Sequence, residues 1–258
     1  RARVPKEAFF GNNTGADVLD VAESFMRGEI LFRTGKVDEG LAALEQGIGG
    51  WLRDLHPGER ISTAQWNNFY LAYQGRDDRP LQERFARFQR AILETVAGPH
   101  YQPIAKKPRA GRRLRVGFVA GFLRRPTITK LMSALVEGLA RARFEVSAYY
   151  LDEHEDTVSA SLRARLDRFE SGERTPGDWA QLLHAASLDV LVYLDIGMHP
   201  TVQTLASFRF APMQCALWGH PVTSGFEHID WFVSAELMAP PEAQRHYTER
   251  LALLPTTL

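Results

Sequence analysis

Two short runs in the second half of the chain, Val190-Leu191-Val192-Tyr193-Leu194 and Met213-Gln214-Cys215-Ala216-Leu217, are apolar at almost every position. A strand with one face in water alternates polar and apolar residues, so a run without alternation suits a sheet covered by helices on both faces. The surrounding pattern agrees. Strand candidates at Leu114 to Ala120, Phe144 to Leu151, Leu188 to Asp195, Met213 to Leu217 and Ile229 to Ser234 are separated by helix candidates. The helices are expected at Thr127 to Arg141, Val158 to Phe169, Asp178 to Ala186 and Val202 to Phe208. Strands alternating with helices imply an α/β fold with a doubly wound parallel sheet of Rossmann-like type.

The first part of the chain reads differently. Residues 1 to about 18 form a loose lead-in, and the apolar pattern from Val18 to Trp51 is helical. Within it, Gly35-Lys36-Val37-Asp38-Glu39-Gly40-Leu41-Ala42-Ala43-Leu44 resembles the middle of a tetratricopeptide repeat. An ordinary helical hairpin explains it equally well, because a single copy is evident and such repeats stabilise one another by stacking. Residues 62 to 95 read as further helices, with Trp66, Phe69, Tyr70 and Tyr73 near helical spacing. These aromatics serve a core rather than a base-stacking platform, since no basic groove accompanies them. The stretch from Gly98 to Arg113 is rich in Pro, Lys, Arg and Gly and reads as a linker. The expected organisation is a helical, tetratricopeptide-like segment over 1–97, a linker over 98–113 and a Rossmann-like lobe over 114–258.

Composition excludes several classes. The 31 basic and 31 acidic residues balance, so charge directs the chain neither to nucleic acid nor to an anionic membrane. No apolar run approaches the ~20 residues that span a bilayer. Cys215 is the single cysteine, which rules out an internal disulfide or a Cys-based zinc site and fits a reducing, cytoplasmic setting. The histidines at 154, 184, 199, 228 and 246 show no metal-ligand spacing. Arg1-Ala2-Arg3-Val4 has neither an initiator Met nor an apolar signal core and reads as an internal cut. In that light Asn12-Asn13-Thr14 is a chance match to a glycosylation sequon.

Ligands of such sheets bind beyond the carboxyl ends of the strands. Three loops fall there: Gly121 to Pro126, Asp195 to Pro200, and Trp218 to Gly225. The first lacks a G-x-G-x-x-G fingerprint, and Gly28 to Lys36 has the wrong spacing for a phosphate loop. Arg124 and Arg125 can hold an anion at a helix start or simply be surface arginines. Asp195, at a strand end, can bind a sugar hydroxyl, act as a base, or cap the following turn. His220 can donate to a phosphate or exchange a proton. Gly219, Thr223, Ser224 and Gly225 surround it; the two hydroxyls suit donation to a phosphate or peptide, and Thr-Ser-Gly is also ordinary turn chemistry.

These segments, taken in order, resemble the O-linked N-acetylglucosamine (O-GlcNAc) transferase family, and particularly its bacterial tetratricopeptide-containing members. The similarity runs through Arg115-Val116-Gly117-Phe118-Val119, Asp189 to Met198, Ala211-Pro212-Met213-Gln214, and Trp218 to Gly225. It continues in Ile229-Asp230-Trp231-Phe232, His246-Tyr247-Thr248-Glu249-Arg250-Leu251 and Leu254-Pro255, with Asn67 to Gly75 similar to the segment preceding the catalytic region. The resemblance implies one lobe of a two-lobed (GT-B type) glycosyltransferase that moves a sugar from a UDP-sugar donor to Ser or Thr of a protein acceptor, or to Asn in relatives. It implies no metal and no cofactor.

The resemblance also sets the expected site. His220 and Asp195 are the catalytic candidates, and Gly219, Thr223, Ser224, Gly225 and Arg125 the substrate-binding ones. Two departures qualify it. The family's histidine before the helix after the first strand is replaced by Arg125 or Pro126, and proline neither relays a proton nor donates a hydrogen bond. The chain also ends at Leu258, before the lobe that supplies most donor contacts. The expectation is a UDP-sugar-dependent enzyme whose fragment is inactive alone. The competing reading is a non-catalytic repeat-containing scaffold or pseudo-glycosyltransferase.

Overall fold

The computed structural model describes residues 79–97, 111–124 and 127–255, together with residue 104 and isolated positions between 9 and 78. Most of the helical stripes expected over 18–51 and 62–78, most of the repeat-like phrase and most of the linker lie outside the described residues, as do Arg125 and Pro126. Within the expected lead-in, β1 (Phe9–Phe10) and β2 (Asn13–Thr14) form a small antiparallel pair. The first long element among the described residues is α1 (Arg79–Ala97). It buries Gln82, Phe85, Ala86, Gln89, Ile92 and Leu93 along one side, the i, i+3, i+4, i+7 spacing of an amphipathic helix.

The lobe then alternates β3 (Leu114–Ala120), α2 (Thr127–Gly138), β4 (Phe144–Tyr150), α3 (Thr157–Arg165), β5 (Arg168–Ser171), α4 (Pro176–Ala185) and β6 (Val190–Tyr193). It continues with α5 (Pro200–Ala206), β7 (Met213–Leu217), β8 (Trp231–Ala235) and β9 (Arg250–Leu254). All seven main strands pair in parallel, in the order β5-β4-β3-β6-β7-β8-β9. Counted along the chain, that is a Rossmann-like order with one strand added at its far edge. The last five residues of β3 and of β4 are buried without alternation, so both faces of the sheet are covered. Phe118, Val146, Tyr150, Leu191, Tyr193 and Phe232 lie at its core, each 1% exposed or less.

The helices start where local chemistry says they should. Asp156 and Thr175 cap α3 and α4, each completing a capping box with the residue three positions on. Pro176 and Pro200 occupy first-turn positions where a missing N–H costs nothing.

Two strands depart from the sequence-based expectation. The helix expected to run to Phe169 ends at Arg165, and Leu166 is already extended (φ −88°, ψ 153°). Asp167 N–H then donates to the Val146 carbonyl at 3.0 Å, which opens the β5 ladder. Tertiary pairing at a sheet edge overrides the local helical pattern. β9, in the His246 to Leu251 neighbourhood, was expected only as a motif and proves to be the far edge strand.

The amino edge of the sheet is pinned by a repeated device. Asp167, Asp189 and Asp230 stand immediately before β5, β6 and β8. Each accepts a backbone N–H from the neighbouring strand: Val146 at 2.9 Å, Arg115 at 2.9 Å and Gln214 at 2.8 Å. Each also binds an arginine: Arg113 on Asp167, and two-pronged contacts from Arg112 on Asp189 and Arg209 on Asp230. The Arg112 hydrogen bonds hold Asp189 below the ordinary carboxylate range. Burial pushes Asp167 and Asp230 the other way, but their hydrogen bonds and arginines outweigh it, so both also titrate low.

Candidate functional site

The strand order reverses between β3 and β6, and their carboxyl ends open the crevice where doubly wound sheets bind ligands. Asp195, two residues past β6, is fully buried there. Its Oδ2 accepts the N–H of Gly121 at 2.8 Å and of Phe122 at 3.2 Å, tying the loop after β6 to the loop after β3. Among the described residues its Oδ1 has no hydrogen-bond partner. Burial raises the Asp195 pKa to about 7 against the pull of backbone N–H groups, which favours the protonated carboxyl well above the usual carboxylate range. Beside it His199, buried enough to titrate low, packs its ring so close to Gly121 that a β-carbon there would fall 2.4 Å away. His199 Nδ1 is buried as well and has no hydrogen-bond partner among the described residues.

The β7 loop closes on the same place. A β-carbon on Gly219 would lie 2.0 Å from the Leu194 carbonyl oxygen, so only glycine lets that backbone rest on the β6 end. His220 follows, 3% exposed, with Nε2 3.0 Å from the Phe69 carbonyl oxygen and its ring tilted against that of Phe69 at 5.2 Å. Burial lowers its pKa, opposed by the hydrogen bond to Phe69, which favours the neutral imidazole. Gly197, Gln203, His220 and Val222 bound an open cleft of about 190 Å³, with Thr223 and Ser224 along its wall. Most of that space is open to solvent; the enclosed part, about 10 Å³, holds about one water molecule, far below the ~300–1,000 Å³ of a typical small-molecule pocket.

Thr223 and Ser224 are drawn towards a residue that carried no assigned role in the sequence, Glu249. Its buried carboxylate accepts the Thr223 hydroxyl at 2.6 Å, the Ser224 N–H at 2.8 Å, and the Ser224 hydroxyl. Thr248 Oγ1 adds a bond at 3.1 Å, while its N–H donates to Thr223 Oγ1 at 3.1 Å. Both loop hydroxyls therefore spend their hydrogens on Glu249, and the loop is fixed to the start of β9. Gly225 has φ +75°, and a β-carbon on it would stand 2.3 Å from the Gln82 carbonyl oxygen; it is the point where this loop meets α1. Arg124 pairs with Asp152 at 3.6 Å. Arg125 lies outside the described residues. Among the described residues, no cluster of His, Cys, Asp or Glu could hold a metal ion.

The structure thus brings Asp195, Gly219 and His220 to one end of β6 and β7, and Thr223, Ser224 and Gly225 to the adjoining wall. Residues 76–258 match the family profile of Glycosyl transferase family 41. The chain belongs to glycosyltransferase family 41. Within that family it is similar to the UDP-N-acetylglucosamine--peptide N-acetylglucosaminyltransferase of Caenorhabditis elegans, 25% identical over 170 residues, which is 61% of this chain and 15% of that protein. It is also similar to the probable UDP-N-acetylglucosamine--peptide N-acetylglucosaminyltransferase SEC of Arabidopsis thaliana, 24% identical over 146 residues, 56% of this chain and 15% of that protein. A solved structure of a Thermobaculum terrenum O-GlcNAc transferase mutant shares the fold of this family 41 chain, with a TM-score of 0.61 at 23% identity, over 92% of this chain and 45% of the other. The matched part is therefore a small fraction of the curated relatives and under half of the solved one.

Proposed function

We propose that this lobe forms the acceptor-side wall of a UDP-sugar-dependent protein glycosyltransferase, acting with a donor-binding lobe in a longer protein. The sugar passes from the donor to a Ser or Thr hydroxyl of a protein acceptor, with Asn as the alternative acceptor. The observation that carries this reading is the meeting of Asp195 and the Gly219–His220 turn at the switch point of a family 41 lobe. The cleft beside His220 is open to solvent, so an acceptor hydroxyl reaches it from the surface, and the nucleotide is left to other residues. His220 in its neutral form, which burial favours, can accept a hydrogen bond from the hydroxyl that enters. Asp195 acts one step back: its carboxyl holds the Gly121–Phe122 backbone that shapes the crevice. Arg125 is assigned to the donor's anionic groups, and the reading gives no role to a metal.

The test is transfer by the longer protein across several UDP-sugars with a protein acceptor, in the presence and absence of a chelator. Transfer should be seen, should be unaffected by chelation, and should fall at least ~10²-fold in His220→Ala. An unimpaired His220→Ala enzyme would remove His220 from the site, and a chelator-sensitive rate would restore a metal to it. One observation favours a second reading, a binding scaffold of the same architecture. The Thr223 and Ser224 hydroxyls are engaged by Glu249 and Arg124 by Asp152, which leaves fewer donors for a reacting phosphate. A longer protein that binds UDP but transfers no sugar would select it.

A further inference from the structure

His220 is held from outside the residues that match the family profile, which begin at 76. Its Nε2 is 3.0 Å from the carbonyl oxygen of Phe69. A carbonyl oxygen can only accept, so Nε2 must carry a hydrogen. The neutral ring has one such hydrogen, so the lone pair resides on Nδ1. Nδ1 faces Gly197: a β-carbon built there would lie 2.8 Å from it, and Gly197 itself sits at φ +88°, a conformation that side chains disfavour. A side chain at 197 would press on the unprotonated nitrogen, and Gly197 and His220 line the same cleft.

The chain around Phe69 is well placed to hold this arrangement. Phe69 adds a tilted ring contact to the imidazole at 5.2 Å. Just beyond it, Asp77 meets His246 Nδ1 at 3.1 Å, Arg79 donates to the Arg245 carbonyl at 3.0 Å, and Gln82 abuts Gly225. Phe69, Asp77, Arg79 and Gln82 thus touch the loops after β7 and before β9.

We propose that Phe69 is a positioning residue: its backbone carbonyl selects the Nε2–H tautomer of His220, so that Nδ1 is the nitrogen offered to a hydroxyl in the cleft. This rests on His220 lining the site as proposed above, but the tautomer is measurable without any activity. In the chain labelled with ¹⁵N-histidine, at a pH above the His220 midpoint, His220 should show a protonated-type shift at Nε2 and an unprotonated-type shift at Nδ1. The signal is assigned by its loss in His220→Gln. Phe69→Ala keeps the backbone carbonyl that His220 Nε2 meets and should therefore keep the Nε2–H form. A wild-type His220 protonated at Nδ1, or an Nδ1–H form in a folded Phe69→Ala, would overturn the proposal.

Should Phe69→Ala fail to fold, the comparison of His220→Gln with His220→Asn decides. The Gln amide reaches the Phe69 carbonyl as Nε2 does, whereas the Asn amide is too short, so His220→Gln should melt at the higher temperature. Equal melting would count against the contact. If the tautomer is as stated and the longer protein transfers no sugar, the functional reading fails while the Phe69 inference stands.

Discussion

At the scale of single residues, the Thr223-Ser224-Glu249 cluster shows most clearly what a sequence conceals. Thr-Ser-Gly reads as turn chemistry, and nothing local says that a carboxylate 25 residues on will receive both hydroxyls. Removing that carboxylate leaves buried donors without acceptors, so Glu249→Ala should lower unfolding free energy by about 3 kcal/mol. Urea denaturation measures this, and a loss within experimental error would mean the hydroxyls find other partners. Asp195 was legible as a strand-end carboxylate, but not as a clamp on the Gly121–Phe122 backbone, because its partners are 73 and 74 residues earlier. Its pKa of about 7, against 3.8 for an ordinary Asp, makes a signed prediction. Between these values the folded state holds a proton that the unfolded state has lost. The wild type should therefore lose stability as pH rises from about 4 to 7, by an amount of order 4 kcal/mol, and level off above that. Asp195→Asn cannot ionise, so its stability relative to wild type should improve over the same range; parallel pH profiles would refute the buried, protonated carboxyl. Phe69 and His220 are 151 positions apart, so their contact too had no local signature.

Elements were legible where periodicity and burial agree. β3, β4 and β7 fall within a residue of their expected positions, because they are apolar and covered on both faces. β5 was not legible. Its residues Arg168-Phe169-Glu170-Ser171 are mostly polar, and an edge strand of four residues need not alternate. It exists because β4 offers a free edge and Asp167 secures the register. The joint between α1 and the β7 loop is likewise a product of packing, resting on Gly225 against the Gln82 carbonyl. Gly225→Ala should cost about 3 kcal/mol, of which left-handed backbone accounts for only ~1–2; the remainder is α1 moving away from its seat. A chemical denaturation midpoint unchanged from wild type would show that the joint can yield without loss.

For the whole molecule, the doubly wound architecture was legible from the alternation of strand and helix, while the site's inner wiring was not, since it is built from long-range contacts. The family membership rests on residues 76–258, and the matched part is 15% of the curated relatives' length. With a cleft far too small for a nucleotide, this chain incubated with UDP-sugar and acceptor should give no transfer and no measurable UDP binding; turnover by the chain alone would show that the lobe is self-sufficient. The three aspartate clamps carry a consequence for how such a lobe can be altered. They fix strand register from the amino edge, at Val146, Arg115 and Gln214, well away from the loops that carry Asp195 and His220. Alignment of the sheet is thereby uncoupled from the identity of the loops at the opposite rim. Grafting the loops after β3 or β6 from another family member should change what the rim recognises while the scaffold beneath keeps its pairing.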